Sequence, residues 1–262
     1  MQKLAEKIGI GIVTYNRESL FSTLYESISS MSDNLYLAFT GQPYIKAYKC
    51  LKSKQFDYAA PVGHGKNWLL QEMHKDGCVH MFILEDDIQI INTEVFFKYI
   101  ELSNITKIKH FLFGYHGKNN KTAQGKPNPR VVLKLRDKLL AFNRHCVGAL
   151  EYFHKDVIDI VGYYDTEYAN ALEHIDHSFE IVKKGFLPAF WWWPDLANSH
   201  EYIIDNDPYG KLSTIMATNN IRANTTAANT YFIKKHNTSV ASIPDITLPH
   251  VIRWIQNNFN KK

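Results

Sequence analysis

Apolar and polar residues follow one another along this chain in two rhythms. Ile8 to Thr14 (IGIGIVT) is a short β-branched run closed by Tyr15-Asn16-Arg17. Glu18 to Ser30 instead spaces Leu20, Phe21, Leu24 and Ile28 at helical intervals, so a strand, a loop and a helix are expected in that order. Leu35 to Phe39 reads as a second strand, Ile45 to Lys52 as a helix, Asn67 to His74 as another helix and Val79 to Leu84 as a strand. The order βαβαβ predicts a parallel sheet wrapped by helices. Beyond it, Asn92 to Leu102 has a helical pattern, Phe111 to Tyr115 reads as a strand, and Leu187 to Trp193 (LPAFWWW) reads as a buried strand on which the tryptophans alternate between faces. Lys118 to Arg130 is rich in Asn, Gly, Pro and Lys without apolar periodicity, which predicts a long mobile loop and a candidate lid. No internal repeat is evident.

Composition narrows this to an ordinary globular chain. With 262 residues, 45% hydrophobic and 21% charged, it has enough apolar material for a sizeable core, and one domain with an appendage is expected. The formal charge of +4 suits a phosphate-bearing ligand or an anionic surface and is too weak for a nucleic-acid binder. Cys50, Cys78 and Cys146 have no CxxC spacing, so neither a disulfide framework nor a zinc site is indicated and a reducing compartment is expected. The first residues (MQKLAEKIGIGIVTYN) lack the regions of a signal peptide, and no apolar run reaches the roughly 18 residues of a membrane span, so the expected location is the cytoplasm. Asn104, Asn224 and Asn237 match the glycosylation pattern and are read as chance matches.

Candidate chemistry centres on FILEDDIQI, where Glu85, Asp86 and Asp87 crowd the end of an apolar run. Such like charges repel unless a cation or water relieves them. In parallel sheets ligands sit beyond the carboxyl ends of the strands, and both IGIGIVTYN and FILEDD place polar residues at that edge. Further on, ALEHIDHSFEIVKKGF spaces Glu173, Asp176, His177 and Glu180 near one helix face, with Ile175, Phe179 and Val182 supplying the apolar one.

IGIGIVTYNR, FILEDDI and ALEHIDHSFEIVKKGF, in this order and over roughly Ile8 to His200, resemble the GT-A glycosyltransferases, particularly the family 2 enzymes that build bacterial surface polysaccharides. The resemblance implies a Rossmann-like, mixed and mostly parallel α/β sheet flanked by helices. It also implies a nucleotide-sugar donor and a divalent cation, Mn²⁺ or Mg²⁺, on a DXD-type motif. Asp87 is the implied metal ligand, Asp86 is placed at the ribose or a metal-bound water, and Glu85 faces the sugar or braces the loop. Thr14, Tyr15, Asn16 and Arg17 fall where the family meets base and ribose, although Thr14 and Asn16 equally suit a helix cap. Gly63-His64-Gly65-Lys66-Asn67 resembles the family's glycine-containing loop, which would bring Lys66 to the diphosphate, and His200 resembles a late metal-ligating His. A UDP-sugar is the first expectation. The second strand ends Phe39-Thr40-Gly41-Gln42 without the Asp many members use to hold the base, so other bases stay open.

On the acceptor side Glu173 and Asp176 match the family's pattern, while His174 stands where its usual Asp base would be. An imidazole can accept a hydroxyl proton near neutrality, and Glu173 is the second candidate. The expected organisation is a core of residues 1–200, with a donor half near 1–105 and an acceptor half near 106–200, followed by a helical appendage at 201–262. In that appendage the Lys234-Lys235-His236 stretch closes over the diphosphate, supports the acceptor or ends a solvated helix. Leu248 to Lys262 carries Val251, Ile252, Trp254, Ile255 and Phe259 near one face, suited to packing on the domain or to peripheral contact with the inner face of a membrane through Arg253, Lys261 and Lys262. The expected function is metal-dependent, inverting transfer of a sugar from a nucleotide donor to a saccharide or lipid-linked acceptor. The alternatives are a GT-A-like nucleotidyltransferase and a noncatalytic carbohydrate-binding or assembly subunit.

Overall fold

Strand β1 (Ile8–Thr14) is buried at every position, which explains why it has no polar alternation: it lies at the centre of a sheet covered on both faces. The structure is a computed structural model describing residues 6–57, 59–209, 211–212 and 221–259. β2 (Leu35–Phe39) and β4 (His80–Glu85) flank β1 in parallel, and β3 (Lys52–Gln55) extends the parallel run beyond β2. On the other side β9 (Leu150–His154) runs antiparallel to both β4 and β6 (His110–Leu112), giving the order β3-β2-β1-β4-β9-β6. Helices α1 (Glu18–Ile28), α2 (Val62–Lys75), α3 (Glu94–Thr106) and the short α4 (Lys155–Ile160) flank this sheet. The mixed, mostly parallel α/β architecture expected from the sequence is the one observed.

α2 begins five residues earlier than its apolar pattern predicts. The GHGKN stretch is not a loop but the first turns of the helix, and its glycines let it lie close on the sheet. A Cβ on Gly65 would stand 2.7 Å from Val13 Cγ2 and 2.8 Å from Thr40 Cγ2. Gly65→Ala is therefore expected to lower the urea midpoint of unfolding by an amount corresponding to about 1–3 kcal/mol, the usual cost of overpacking.

Three predicted elements are corrected. The helix expected over Ile45 to Lys52 does not form: residues 45–51 are irregular and Ile45 is 98% exposed, while Tyr48 and the preceding Tyr44 pack their rings on Phe21 of α1. The chain then forms the polar edge strand β3, which an apolar pattern cannot reveal. LPAFWWW is a turn in which Trp191 has φ 68°, and strand β10 (Trp193–Leu196) starts only at the last tryptophan. Trp191 and Trp192 donate their indole N–H groups to the carbonyls of Ile243 and Ile246, each at 2.9 Å, so they anchor the C-terminal segment rather than alternate across a strand. The 118–130 loop has internal structure: Thr122 N donates to Lys126 O at 2.8 Å, Lys121 pairs with Asp205 at 2.9 Å, and Arg130 pairs with Asp245 at 2.8 Å. After it come β7 (Val131–Leu135) and β8 (Lys138–Asn143), which form with β10 an antiparallel three-stranded sheet. β5 (Ile88–Ile90), just beyond the acidic triplet, pairs with β11 (Ile203–Asp205).

Helix α5 (Glu173–Lys183) carries its expected amphipathic pattern but turns it inward. Glu173, Asp176, His177 and Ser178 are buried, whereas Ile175, Phe179 and Val182 are only half-buried. The buried polar face is tolerated because it is partnered. Asp176 accepts hydrogen bonds from Tyr168 Oη at 2.9 Å, Lys235 Nζ at 2.8 Å and His236 Nε2 at 2.6 Å. Lys235 and His236 end α6 (Ile221–His236), so this basic stretch latches α6 to α5. Asp176, expected near the acceptor, is thus a structural anchor. Asp176→Ala should cost roughly 3–5 kcal/mol, as breaking one side of a buried pair does. Limited proteolysis should then cut within residues 221–236. In α7 (Leu248–Phe259) the expected apolar face is used for packing, with Val251 and Ile255 buried; Lys261 and Lys262 lie outside the described residues. Among the described residues no helix is long and apolar enough to cross a membrane.

Candidate active site

The carboxyl ends of β1 and β4 are neighbours, so the loop after Thr14 and the acidic triplet meet. Thr14 Oγ1 donates to Asp86 Oδ2 at 2.6 Å; the Arg17 guanidinium reaches Asp86 Oδ1 with one nitrogen and Asp87 Oδ2, at 3.1 Å, with the other. Neither Thr14 nor Asn16 caps α1. Asn16, with φ 54°, instead accepts from Gln42 N at 2.6 Å and ties the first loop to the one after β2. Tyr44, just before the segment expected to be helical, accepts a hydrogen bond from Arg17 N at 2.9 Å and braces the same corner.

Asp86 and Asp87 are both buried. Burial pushes the Asp86 carboxyl up to about 7 against the pull of Arg17, and burial likewise raises Asp87 against the charge of His116. Asp87 Oδ1 is enclosed and has no hydrogen-bond partner. An anionic oxygen so placed is costly without a cation. The donor chemistry therefore fits a hard divalent ion that takes one or two carboxylates here and its remaining oxygens from phosphate and water. The protein offers no complete cage: among the described residues no three His, Cys, Asp or Glu side chains come together as ligands.

His200 is not the imidazole that acts on this corner. It is exposed on a 3₁₀ turn (Ser199–Glu201), edge-on to Tyr115. His116 takes that place, pairing with Asp205 at 3.0 Å and acting electrostatically on Asp87 and Glu85. Asp205 in turn accepts from Gly117 N at 2.8 Å and Lys121 Nζ at 2.9 Å. Sequence reasoning missed both residues. His116 follows β6 and was within reach of the same strand-end rule that singled out the triplet. Asp205 arrives only through the pairing of β11 with β5, for which no short-range signal exists.

Lys66 also departs from expectation. It is completely buried, and instead of facing a diphosphate it pairs with Glu85 at 2.8 Å, Glu151 at 3.0 Å and Glu173 at 3.8 Å. Burial lowers the Lys66 pKa, but these carboxylates more than offset it and leave it raised. The sequence just before α5 adopts left-handed conformations at Asn170 (φ 57°) and Leu172 (φ 64°), uncommon for a bulky residue, so α5 opens on Glu173 and His174. His174 Nδ1 lies 3.2 Å from Glu173 Oε1. Burial opposes charge on both. Even so, His174 and Lys66 hold Glu173 down at about 2, and Glu173 raises His174 above the ordinary imidazole value.

Thr14, Tyr15, Arg17, Thr40, Glu85 and Asn170 line a cleft of about 730 Å³, counting space open to solvent, at this end of the sheet; Asn224 of α6 forms its far wall. Asp86 and Asp87 do not line it directly. Arg17 stands between them and the cleft. A second pocket shares Tyr15 and Ala59 with the first and continues past Asn16, Gln42 and Gln55.

No family profile and no curated protein matches the sequence. Solved structures do match the fold. GalNAc-T7, solved with UDP, GalNAc and Mn²⁺, is similar at a TM-score of 0.53 and 12% identity, over 68% of this chain and 41% of that one. S. aureus TarS is similar at a TM-score of 0.50 and 12% identity, over 66% of this chain and 33% of that one. The chain spans about half or less of the solved chains it matches. The fold is GT-A-like.

Proposed function

We propose that the chain is a metal-dependent glycosyltransferase that moves a sugar from a nucleotide-sugar donor to a saccharide or glycolipid acceptor with inversion. The observation that carries this reading is the buried Asp86–Asp87 pair at the carboxyl end of β4, with one carboxylate oxygen unpartnered, beside an open cleft in a GT-A-like fold. GalNAc-T7, of similar fold, was solved with UDP and Mn²⁺, which supports a nucleotide and a divalent ion as ligands here. Asp87 would hold Mn²⁺ or Mg²⁺, and the ion supplies Lewis-acid stabilisation of the departing diphosphate. Arg17, released from part of its pairing with the two aspartates, is free to turn toward phosphate, for which its planar fork is suited. Thr14 keeps Asp86 oriented as it does so.

On the acceptor side, Glu173 Oε1 accepts from His174 Nδ1–H, which leaves Nε2 as the atom that takes the acceptor hydroxyl proton. His174 is the more open of the pair, with a side chain 23% exposed against 6% for Glu173. On this reading His174 is the base and Glu173 the group that orients it. Inversion is part of the same reading, supported by the acceptor-side base that the resemblance implies and by its offering no candidate covalent nucleophile.

Nucleotide sugars of several bases and sugars, screened with Mn²⁺ for slow donor hydrolysis and for thermal stabilisation, test the reading. At least one donor should show both effects, and both should vanish with chelator. A panel in which no nucleotide sugar binds or is hydrolysed would count against it, and turnover of nucleoside triphosphates instead would favour nucleotidyl transfer.

A further inference from the structure

We propose that Lys66 is a positioning residue of this reaction, a buried ammonium that ties the donor-facing carboxylate Glu85 to the acceptor-facing pair Glu173 and His174; the proposal rests on the glycosyltransferase reading of the cleft. Four elements meet at its Nζ: Glu85 from the end of β4, Glu151 from β9, Glu173 from the first turn of α5, and Lys66 itself from α2. Gly148 O accepts from Nζ at 3.3 Å, and Tyr164 places its ring 5.6 Å from Nζ while donating its hydroxyl to Glu151 at 2.7 Å. Gly148 marks the junction. A Cβ there would lie 3.2 Å from Lys66 Nζ and 3.3 Å from His174 Cγ, so ammonium and imidazole crowd the same point from either side.

A buried lysine paired once would be weak evidence of anything but packing, since apolar replacements often serve as well. Here the pairing is lopsided. Three carboxylates surround one ammonium; one of them lines the cleft and another orients the proposed base. Without Lys66, Glu85 and Glu173 repel each other across the gap where donor and acceptor must meet. Glu151, which no sequence pattern singles out, is the fully buried partner of the ammonium.

The groups that act on His174 are Glu173 on its own helix, Lys66 on α2, Glu151 on β9 and His110 on β6. Loss of Lys66 removes a positive neighbour and makes the imidazolium easier to form. A histidine-labelled protein titrated by NMR, with His174 assigned through His174→Gln, should show the His174 midpoint rise by roughly one pH unit or more in Lys66→Met, the scale of a close charge. The rising limb of turnover against pH should move the same way, with kcat reduced more than donor KM is raised. Should Lys66→Met not fold, Lys66→Met/Glu151→Gln relieves the stranded carboxylate, and the rise should persist in smaller measure. An unmoved or lowered midpoint in a folded variant overturns the proposal, as does wild-type turnover with an unchanged pH profile. A shifted NMR midpoint in a protein that transfers no sugar would overturn the reaction assigned to the cleft while leaving the electrostatic tie established.

Discussion

Asp87→Asn is expected to abolish Mn²⁺-dependent binding of a nucleotide sugar while leaving the protein folded. Removal of an outer-shell partner commonly costs about 10–100-fold in metal affinity, so loss of the anchoring carboxylate should exceed that. Stability should hold or improve. The folded protein keeps the Asp87 pKa above its ordinary value, because burial outweighs His116 and Arg17. An acid raised in this way binds its proton more tightly folded than unfolded, so its ionisation works against folding as pH climbs above the ordinary carboxylate range of about 4. Asparagine removes that liability, and Arg17 keeps Asp86. Calorimetry with donor and Mn²⁺, beside a thermal melt at neutral pH, reads both quantities. Wild-type affinity in the variant would sink the assignment of the cation to Asp87.

His174→Asn is expected to lower turnover by on the order of 10² to 10⁴ with donor affinity nearly unchanged, because a general base acts in the transition state. The wild-type rate should rise with pH as neutral imidazole forms. Its midpoint should sit above the ordinary value of about 6.5, since Glu173 raises His174 in spite of burial. The same shift has a stability signature of fixed sign. A histidine raised in the folded state contributes stability below its unfolded pKa and loses it as pH rises through the folded one. Rate should therefore increase over the window in which this contribution fades. Glu173→Gln should lower the midpoint and reduce turnover less than His174→Asn does. If Glu173→Gln proves the more damaging, the carboxylate is the base; near-normal turnover in both variants would place the base elsewhere.

The sequence by itself determined the frame. Within β1 and β4, Ile8–Val13 and Met81–Leu84 carry no polar side chain because a strand covered on both faces has no solvent side to mark with polar residues, and α1 is legible from its single buried stripe. Strand ends in a parallel sheet collect polar groups, so Thr14, Arg17 and the acidic triplet could be placed at one edge before any coordinates. The second sheet, the polar strand β3 and the turn at Trp191 were not legible, because edge strands and strained turns depend on what lies beside them rather than on local period. Tertiary structure alone decided which polar residues are partners. Asp176 and Lys66 look alike in sequence as charged residues near a site, yet one latches α6 and the other sits among three carboxylates. His116 and Asp205, 89 positions apart, meet beside Asp87 only because β11 pairs with β5. Charge in a protein takes its meaning from burial and from long-range neighbours, and a linear pattern carries neither.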